Sequence, residues 1–406
     1  MTERLYYHDS FLFEFDARVV ESFEIDGRHA VALDRTAFYP TSGGQVHDTG
    51  KLLAENRAFA VTDVADDDSG RILHYLAAPL PAETVVHGQI DSGRRIDHVQ
   101  QHTGQHVLSA AFIQLFNMPT VSFHMGEETC TIDLQTPSLS PEQAERAERL
   151  ANQIIAEDRP VTIRFVSLEE ARQLGLRKLP PKQTGELRLI NIQDFDLCAC
   201  GGTHVRATGQ IGCILVRKTE KVKQGVRVEF VCGLRAVALA RKDFAALTEA
   251  AGIFSSHIHE LPQQIRKSLD EAKASGKTQH KLLEELAGFE AERMLADTSG
   301  SPRVILKVIP ERDAGFIKLL AQKLTAGRSD VIALLGALQP QPTLVFAQSA
   351  GQKFNMGQLL KESLAQFGGR GGGSSDMAQG GLPGGSADLD VLTRLLKEAR
   401  TKLSRS

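Results

Sequence analysis

Two short motifs, 98 residues apart, set the strongest demand on how this chain folds. His102-Thr-Gly-Gln-His106 lies in DHVQQHTGQHVLSAAFIQLF, where Val99, Val107, Leu108, Ala111, Phe112 and Leu115 recur at helical spacing. Histidines four apart share one helical face, one turn apart, so two imidazoles aim at one point. Cys200-Gly-Gly-Thr-His204 offers a thiolate and an imidazole across a glycine turn, tight enough for both side chains to converge. A fold that brings the turn onto the helix assembles three nitrogens and one sulfur, a donor set suited to four-coordinate zinc. Threonine follows His102 where HExxH metalloproteases carry glutamate, so their in-motif general base is missing.

Two neighbours leave alternatives open. In a strand, alternation would point Cys198 and Cys200 to the same face, but Cys-x-Cys is a short bite for one tetrahedral ion. Only Cys200 has the glycine turn and His204 behind it. Cys198 is left without a task, and a Cys198→Ala variant is expected to keep its zinc. His98, one turn before His102, is either a core histidine or an outer residue that orients a ligand.

Periodicity divides the rest. FEFDARVVESFEI and RHAVALD alternate around Asp26-Gly27, a hairpin signal, and predict a β-barrel-like domain over 1–90. Residues 91–232 read as an α+β domain. Its signals are the histidine helix, ending at Asn117 and Pro119, a strand pair in TVSFHMG and ETCTIDL, and a helix from the capping box Ser140-Pro141-Glu142-Gln143 to about Asp158. Ser167 to Glu170 repeats the capping signal before a short helix ending near Gly175. Residues 233–300 predict a helical linker, and 301–406 a small α/β domain with helices at 312–325 and 355–367. The run GGRGGGSSDMAQGGLPGG (368–385) reads as a glycine-rich loop before a last helix. The fold class is α+β overall.

No run approaches the roughly 20 apolar residues of a membrane span. The N-terminus carries acids early and lacks the apolar core of a signal peptide, which leads us to expect a cytoplasmic protein. Five cysteines, an odd number, fit a reduced compartment better than a disulfide framework. A net charge of -3 does not advertise nucleic-acid binding, but phosphate contacts depend on where the charges lie. Arg217, Lys218, Lys221, Lys223 and Arg227 form one basic stretch, either a solvated face or a phosphate contact. The absence of tryptophan argues against a broad base-stacking platform.

Together HTGQH, CGGTHV, FYPTSGGQ and GGRGGGSSDMAQGG resemble the free-standing alanyl-tRNA editing proteins of the AlaX type, in the long form with a C-terminal DHHA-type domain. These are similar to the editing and C-terminal regions of alanyl-tRNA synthetase. The resemblance covers nearly the whole chain. It implies a glycine-motif domain over 1–90, a zinc-containing editing domain over 91–232 and a DHHA-type domain over 301–406. The implied activity is an aminoacyl-tRNA deacylase, a carboxylic ester hydrolase that removes serine, with glycine as a second candidate, from mischarged tRNA(Ala).

The family's zinc ligands carry over onto His102, His106, Cys200 and His204, one ion per chain, and these are also the catalytic residues. Thr120 is the nearest match to the threonine that recognises the serine hydroxyl, with Ser122 second by alternation. His124 follows inward on the same alternation, as a terminal-adenosine contact or an outer polar residue. Gly43, Gly44 and Gln45 match the glycine motif beside the pocket. Arg370 with Gly371, Gly372 and Gly373 forms an anion nest for tRNA, or else a flexible linker. A homodimer through the linker and C-terminal domain is implied too. Aminoacylation is not expected.

Two other functions compete. A metal-dependent phosphoesterase related to DHH proteins needs an aspartate-rich DHH cluster, to which only Asp97-His98 comes near. A non-catalytic tRNA-binding module with structural zinc is compatible with four protein ligands.

Overall fold

After a short opening strand, β1 (Glu3–Arg4), the first hairpin turns at Asp26-Gly27. Both residues take positive φ, as a two-residue turn between twisted strands requires, and join β2 (Glu14–Ile25) to β3 (Arg28–Leu33). A two-residue strand, β4 (Arg35–Thr36), pairs in parallel with β1. Then β5 (Gly50–Ala54), β6 (Arg57–Asp66), β7 (Ile72–Leu76) and β8 (Val85–Ile90) close a six-stranded barrel in the order β2-β3-β7-β6-β5-β8. Alternation along β2 sends Phe15, Ala17 and Val19 inward, where they meet Leu33, Phe38, Leu52 and Ile72 in one core. The structure, a computed structural model, describes residues 1–67, 69–174, 176, 186–223, 225–383 and 388–404.

The histidine helix is α1 (Ser92–Phe116), four residues longer at its start than the apolar pattern shows. Asp91 caps it by accepting from Arg94 N–H, and Asn117 ends it in the left-handed region. Residues 101–112 are buried all round, so α1 is a core element rather than a half-exposed amphipathic helix. β9 (Thr120–Met125) and β10 (Cys130–Leu134) follow as an antiparallel pair. α2 (Pro141–Ala156) carries the complete capping box, with Ser140 and Gln143 each bonding the other's backbone.

Then come β11 (Val161–Val166) and α3 (Leu168–Gln173), where Ser167 caps but Glu170 turns away to Arg164. The helix end expected near Gly175 lies outside the described residues. β12 (Leu187–Ile192) and β13 (Asp196–Ala199) complete the sheet β11-β12-β13. β14 (Ile214–Val222) and β15 (Gly225–Cys232) join β10 and β9 in the order β14-β15-β10-β9. The two sheets, α1 and α2 enclose one core containing Phe112, Ile132, Ile154, Ile190 and Phe230.

Contacts divide the chain into two compact units, Met1–Glu249 and Ala250–Ser406, with the boundary inside α4 (Gly233–Ile253). The second unit contains α5 (Leu261–Ala296), β16 (Arg303–Val308), α6 (Ala314–Thr325), β17 (Val331–Ala337), β18 (Thr343–Gln348) and α7 (Met356–Ala365). It ends with β19 (Arg370–Gly373), β20 (Met377–Gly381) and α8 (Leu389–Leu403). The sheet order is β16-β17-β18-β20-β19. Alternate residues of β17 serve the two faces: Ala333 and Leu335 pack with α5 and α6, Ile332 and Leu334 with α7 and α8.

The glycine-rich run corrects the expected loop. Its described part is a hairpin, β19 paired with β20, with the chain turning at Ser375 and Asp376. A Cβ on Gly371 would stand 2.6 Å from Gly380 Cα, and one on Gly380 would meet Leu364 Cδ1 at 2.3 Å. The glycines are there because two strands and α7 come too close for side chains. Gly384 and Gly385, the end of the expected loop, lie outside the described residues.

Candidate metal centre

The fold brings the turn onto the helix. His102, His106, Cys200 and His204 each place one donor atom within 4.8 Å of every other. The α1 backbone stacks the His102 and His106 rings, with centroids 5.3 Å apart, and His204 meets both edge-on at 4.8 and 4.9 Å. Cys200 Sγ stands 3.2 Å from His102 Nε2 and 3.4 Å from His204 Nε2. A tetrahedral ion with Zn–N near 2.0 Å and Zn–S near 2.3 Å separates nitrogen from sulfur by about 3.5 Å. The spacing, the donor chemistry and the burial therefore fit a metal ion. Among the described residues His102 Nδ1 is buried without a partner, so this ring's bonding is directed at its Nε2 end.

The loop that carries Cys200 and His204 is clamped from three sides. Arg188, on β12, donates from Nη1 to the carbonyls of Cys200 at 2.7 Å and Gly202 at 3.0 Å, and from Nε to Tyr7 O at 2.9 Å. Gln45 brackets Thr203, donating to its hydroxyl at 2.9 Å and accepting its N–H at 3.2 Å. Ser10 accepts the N–H of His204 at 3.0 Å. Gly202 lies against the His102 ring: a Cβ there would meet Cε1 at 2.3 Å. The start of α1 is fixed by Arg95. Its buried guanidinium forms an ion pair with Asp48 and donates to Ser10 O at 2.8 Å and Ala37 O at 2.6 Å.

The electrostatics favour a thiolate among these groups. Burial opposes ionisation of Cys200, but the three imidazoles, His102 foremost, hold its thiol well below the usual range. Burial pushes His204 down to about 3, against the pull of Cys200. Burial also disfavours charge on His106, yet Cys198 and Cys200 raise it well above the ordinary value.

The other sequence-derived residues sort as follows. Ser42 and Gln45 exchange backbone bonds at 3.0 and 2.9 Å across a turn in which Gly43 and Gly44 both take positive φ. Gly44 lies against β9, where a Cβ would stand 2.4 Å from Phe123 O. Phe123 in turn packs its ring edge on His102 at 5.4 Å.

The expected alternation along β9 is interrupted by a bulge. Thr120 pairs with Leu134 but Ser122 pairs with Asp133, so Val121 is the extra residue. Thr120, Phe123 and Met125 therefore face inward, while Ser122 and His124 lie on the exposed face, Ser122 donating to Asp133 at 2.7 Å. Thr120 Oγ1 is 2.7 Å from Ser109 Oγ, which accepts from Gln105 Nε2 at 2.8 Å. His98 is buried on α1 but outside the four-residue group.

Arg370 is exposed at the start of β19. Gly371, Gly372 and Gly373 are extended strand residues, without the alternating handedness of an anion nest. Of the basic stretch, Arg217 pairs with Asp243, Lys218 with Glu220 and Arg227 with Asp133. Lys221 and Lys223 line a shallow cavity with Gln135 and Thr136. No described helix is long and apolar enough to cross a membrane.

Sequence reasoning missed Arg188, Thr103, Asp196 and the Arg95–Asp48 pair. Arg188 left a signal, a lone cation in the apolar run LRLINI. Thr103 sits inside HTGQH itself: its hydroxyl oxygen accepts Val205 N–H at 3.1 Å and lies 3.2 Å from His204 Nδ1.

Comparison with known proteins agrees with this picture. Residues 187–228, which include Cys200 and His204, match the threonyl and alanyl tRNA synthetase second additional domain, and residues 4–94 match class II (A) tRNA synthetases. An alanyl-tRNA editing protein, AlaX-L of Pyrococcus horikoshii, is 32% identical over 387 residues, covering 94% of each chain. The alanine–tRNA ligase of Pyrococcus furiosus is also 32% identical, over 93% of this chain but 42% of its own length. Among solved structures, the C-Ala domain of Aquifex aeolicus alanyl-tRNA synthetase matches 25% of the chain at 23% identity and a TM-score of 0.22, too low to carry a fold argument.

Proposed function

The chain belongs to the alanyl-tRNA editing protein family, and on that premise we propose that it is a trans-editing hydrolase that deacylates mischarged tRNA(Ala). The observation that carries the reading is the convergence of His102, His106, Cys200 and His204 in a chain that matches a free-standing editing protein almost end to end. These four hold one zinc ion, for which imidazole and thiolate are suitable donors. Zinc supplies a Lewis acid able to anchor the aminoacyl group or to polarise water.

The chain's own residues build the pocket around it. Arg188, Gln45 and Ser10 keep the ligand loop in place, so the donors need little reorganisation. Phe123 walls the His102 side. Thr120 reads the hydroxyl that distinguishes serine from alanine. When Ser109 donates to Thr120, the Thr120 proton is free for the substrate oxygen. A polar group built for that hydroxyl is left unpaired by alanine, which spares the correctly charged tRNA. Serine and glycine are the amino acids removed.

Lys221 and Lys223, and Arg370 beside Gly371, Gly372 and Gly373, contact tRNA phosphates. Residues 301–406 serve as the DHHA-type domain. A second copy docks along α5, where Leu269, Leu282 and Phe289 are exposed.

Deacylation of Ser-, Gly- and Ala-tRNA(Ala) by the purified, zinc-loaded chain tests the reading. Wild type is expected to release serine and glycine and to leave alanine. His102→Ala is expected to lose at least about 100-fold in rate, and Thr120→Val to lose rate on the seryl substrate more than on the glycyl one. A zinc-loaded wild type that hydrolyses none of the three sinks the proposal.

A further inference from the structure

We propose that Cys198 is a positioning residue: with Asp196 it holds the Nδ1 edge of His106, so that Nε2 of that ring faces the ion. The inference rests on the metal reading above.

Period-two alternation along β13 sends Asp196 and Cys198 inward together. Cys198 Sγ lies 2.9 Å from His106 Nδ1, and Asp196 Oδ2 lies 3.6 Å from the same nitrogen. All three side chains are buried. A neutral imidazole has one N–H and one lone pair, so a proton held at Nδ1 leaves the lone pair at Nε2. With the proton there, Nδ1–H donates to the cysteine sulfur and the carboxylate adds a second attraction from the same side.

Of the other two rings, His204 follows the same rule, while His102 Nδ1 has no partner among the described residues. His102 and His204 both present Nε2 to Cys200 Sγ. His204 keeps its Nδ1 edge on Thr103 Oγ1, as His106 keeps its own on Cys198. The metal-competent groups separate accordingly. Cys198 clusters with His106 and Asp196 alone, whereas Cys200 clusters with His102, His106 and His204. Two cysteines two residues apart thus fall in different groups around one imidazole. One sulfur is a ligand, and the other fixes the tautomer of a ligand.

The test measures metal affinity on the full chain, with zinc by chelator competition and with cobalt by its visible spectrum. Cys198→Ala, and Cys198→Val as a second apolar variant that leaves no cavity should the first fold poorly, are expected to bind one ion per chain about 10- to 100-fold more weakly. The sulfur-to-cobalt band of Cys200 remains. Cys198→Ser, which restores an acceptor, recovers most of the affinity. The His106 Nδ1–H resonance of the zinc-loaded wild type shifts in Cys198→Ser and Asp196→Asn.

Unchanged affinity in both apolar variants, in a wild type that binds normally, overturns this inference alone. Loss of cobalt–sulfur intensity in Cys198→Ala also overturns it, by making Cys198 a ligand. A wild-type chain that takes up no ion overturns the metal reading and this inference with it.

Discussion

Gly202 shows how one missing methyl group shapes the centre. Its backbone needs no left-handed conformation; what it needs is room, since a Cβ would stand 2.3 Å from His102 Cε1, 2.7 Å from Nε2 and 2.8 Å from Nδ1. The ring cannot swing aside cheaply, because His106 is stacked on it and Phe123 is against its edge. Gly202→Ala therefore displaces a donor without touching any donor's chemistry. We expect metal affinity to fall about 100-fold, as for loss of a supporting contact at its most severe, while far-UV circular dichroism stays unchanged. Zinc content equal to wild type after dialysis against a mild chelator contradicts that account. The same reasoning separates Gly202 from Gly201, which is exposed and whose Cβ would meet only Tyr7, at 3.5 Å and beyond.

At the scale of elements, α1 positions the histidines only because its first turn is tied down. Arg95 is fully buried and answers one carboxylate and two carbonyls, on residues that precede it by 47 to 85 positions. Removing one member of a buried pair strands the other, at a cost of about 3–5 kcal/mol. Arg95→Met is expected to lower the urea stability of the first unit by that amount, because Asp48 loses its counter-charge and keeps, among the described residues, only the Tyr39 N–H, and Ser10 O and Ala37 O lose the guanidinium; a change under about 1 kcal/mol rules the anchor out.

This anchor also marks where sequence reading stopped. Local chemistry was legible. The Ser140 capping box, the Asp26-Gly27 hairpin and the Asn117 helix end are each specified by neighbours in sequence, and each forms. What was not legible depended on distant partners. An arginine in a helix reads as surface until its carboxylate is known. The bulge at Val121 leaves no mark in TVSFHM, yet it decides which of Thr120, Ser122 and His124 face inward. DLCA is too short and too mixed to announce β13, which is why Cys198 and Asp196 lacked a role in the sequence. Close packing against α7, invisible locally, turned the glycine run from a loop into two strands.

For the whole molecule, the composition provides a way to watch one unit at a time. The chain has no tryptophan, and its four tyrosines, Tyr6, Tyr7, Tyr39 and Tyr75, all belong to the unit Met1–Glu249. Tyrosine fluorescence therefore follows that unit alone. It also holds His74, fully buried in the barrel, with Nε2 2.8 Å from Thr36 Oγ1 and Nδ1 3.2 Å from Val31 O. Burial pushes His74 from 6.5 down to about 4, so the folded chain keeps this ring neutral where the unfolded chain protonates it. The unfolded state thus binds the extra proton between those two values, and stability rises with pH across that window. This contribution is fully present above pH 6.5 and is lost as pH falls toward 4, amounting to on the order of 3 kcal/mol.

His74→Asn removes the titration while keeping a polar group for Thr36 or Val31. It is expected to be less stable than wild type at pH 7 and to close most of that gap by pH 4.5, in urea titrations read by tyrosine fluorescence. Parallel pH profiles for the two proteins show instead that the ring is protonated in the fold. A narrowing gap assigns part of the acid sensitivity to one barrel histidine, away from the metal centre.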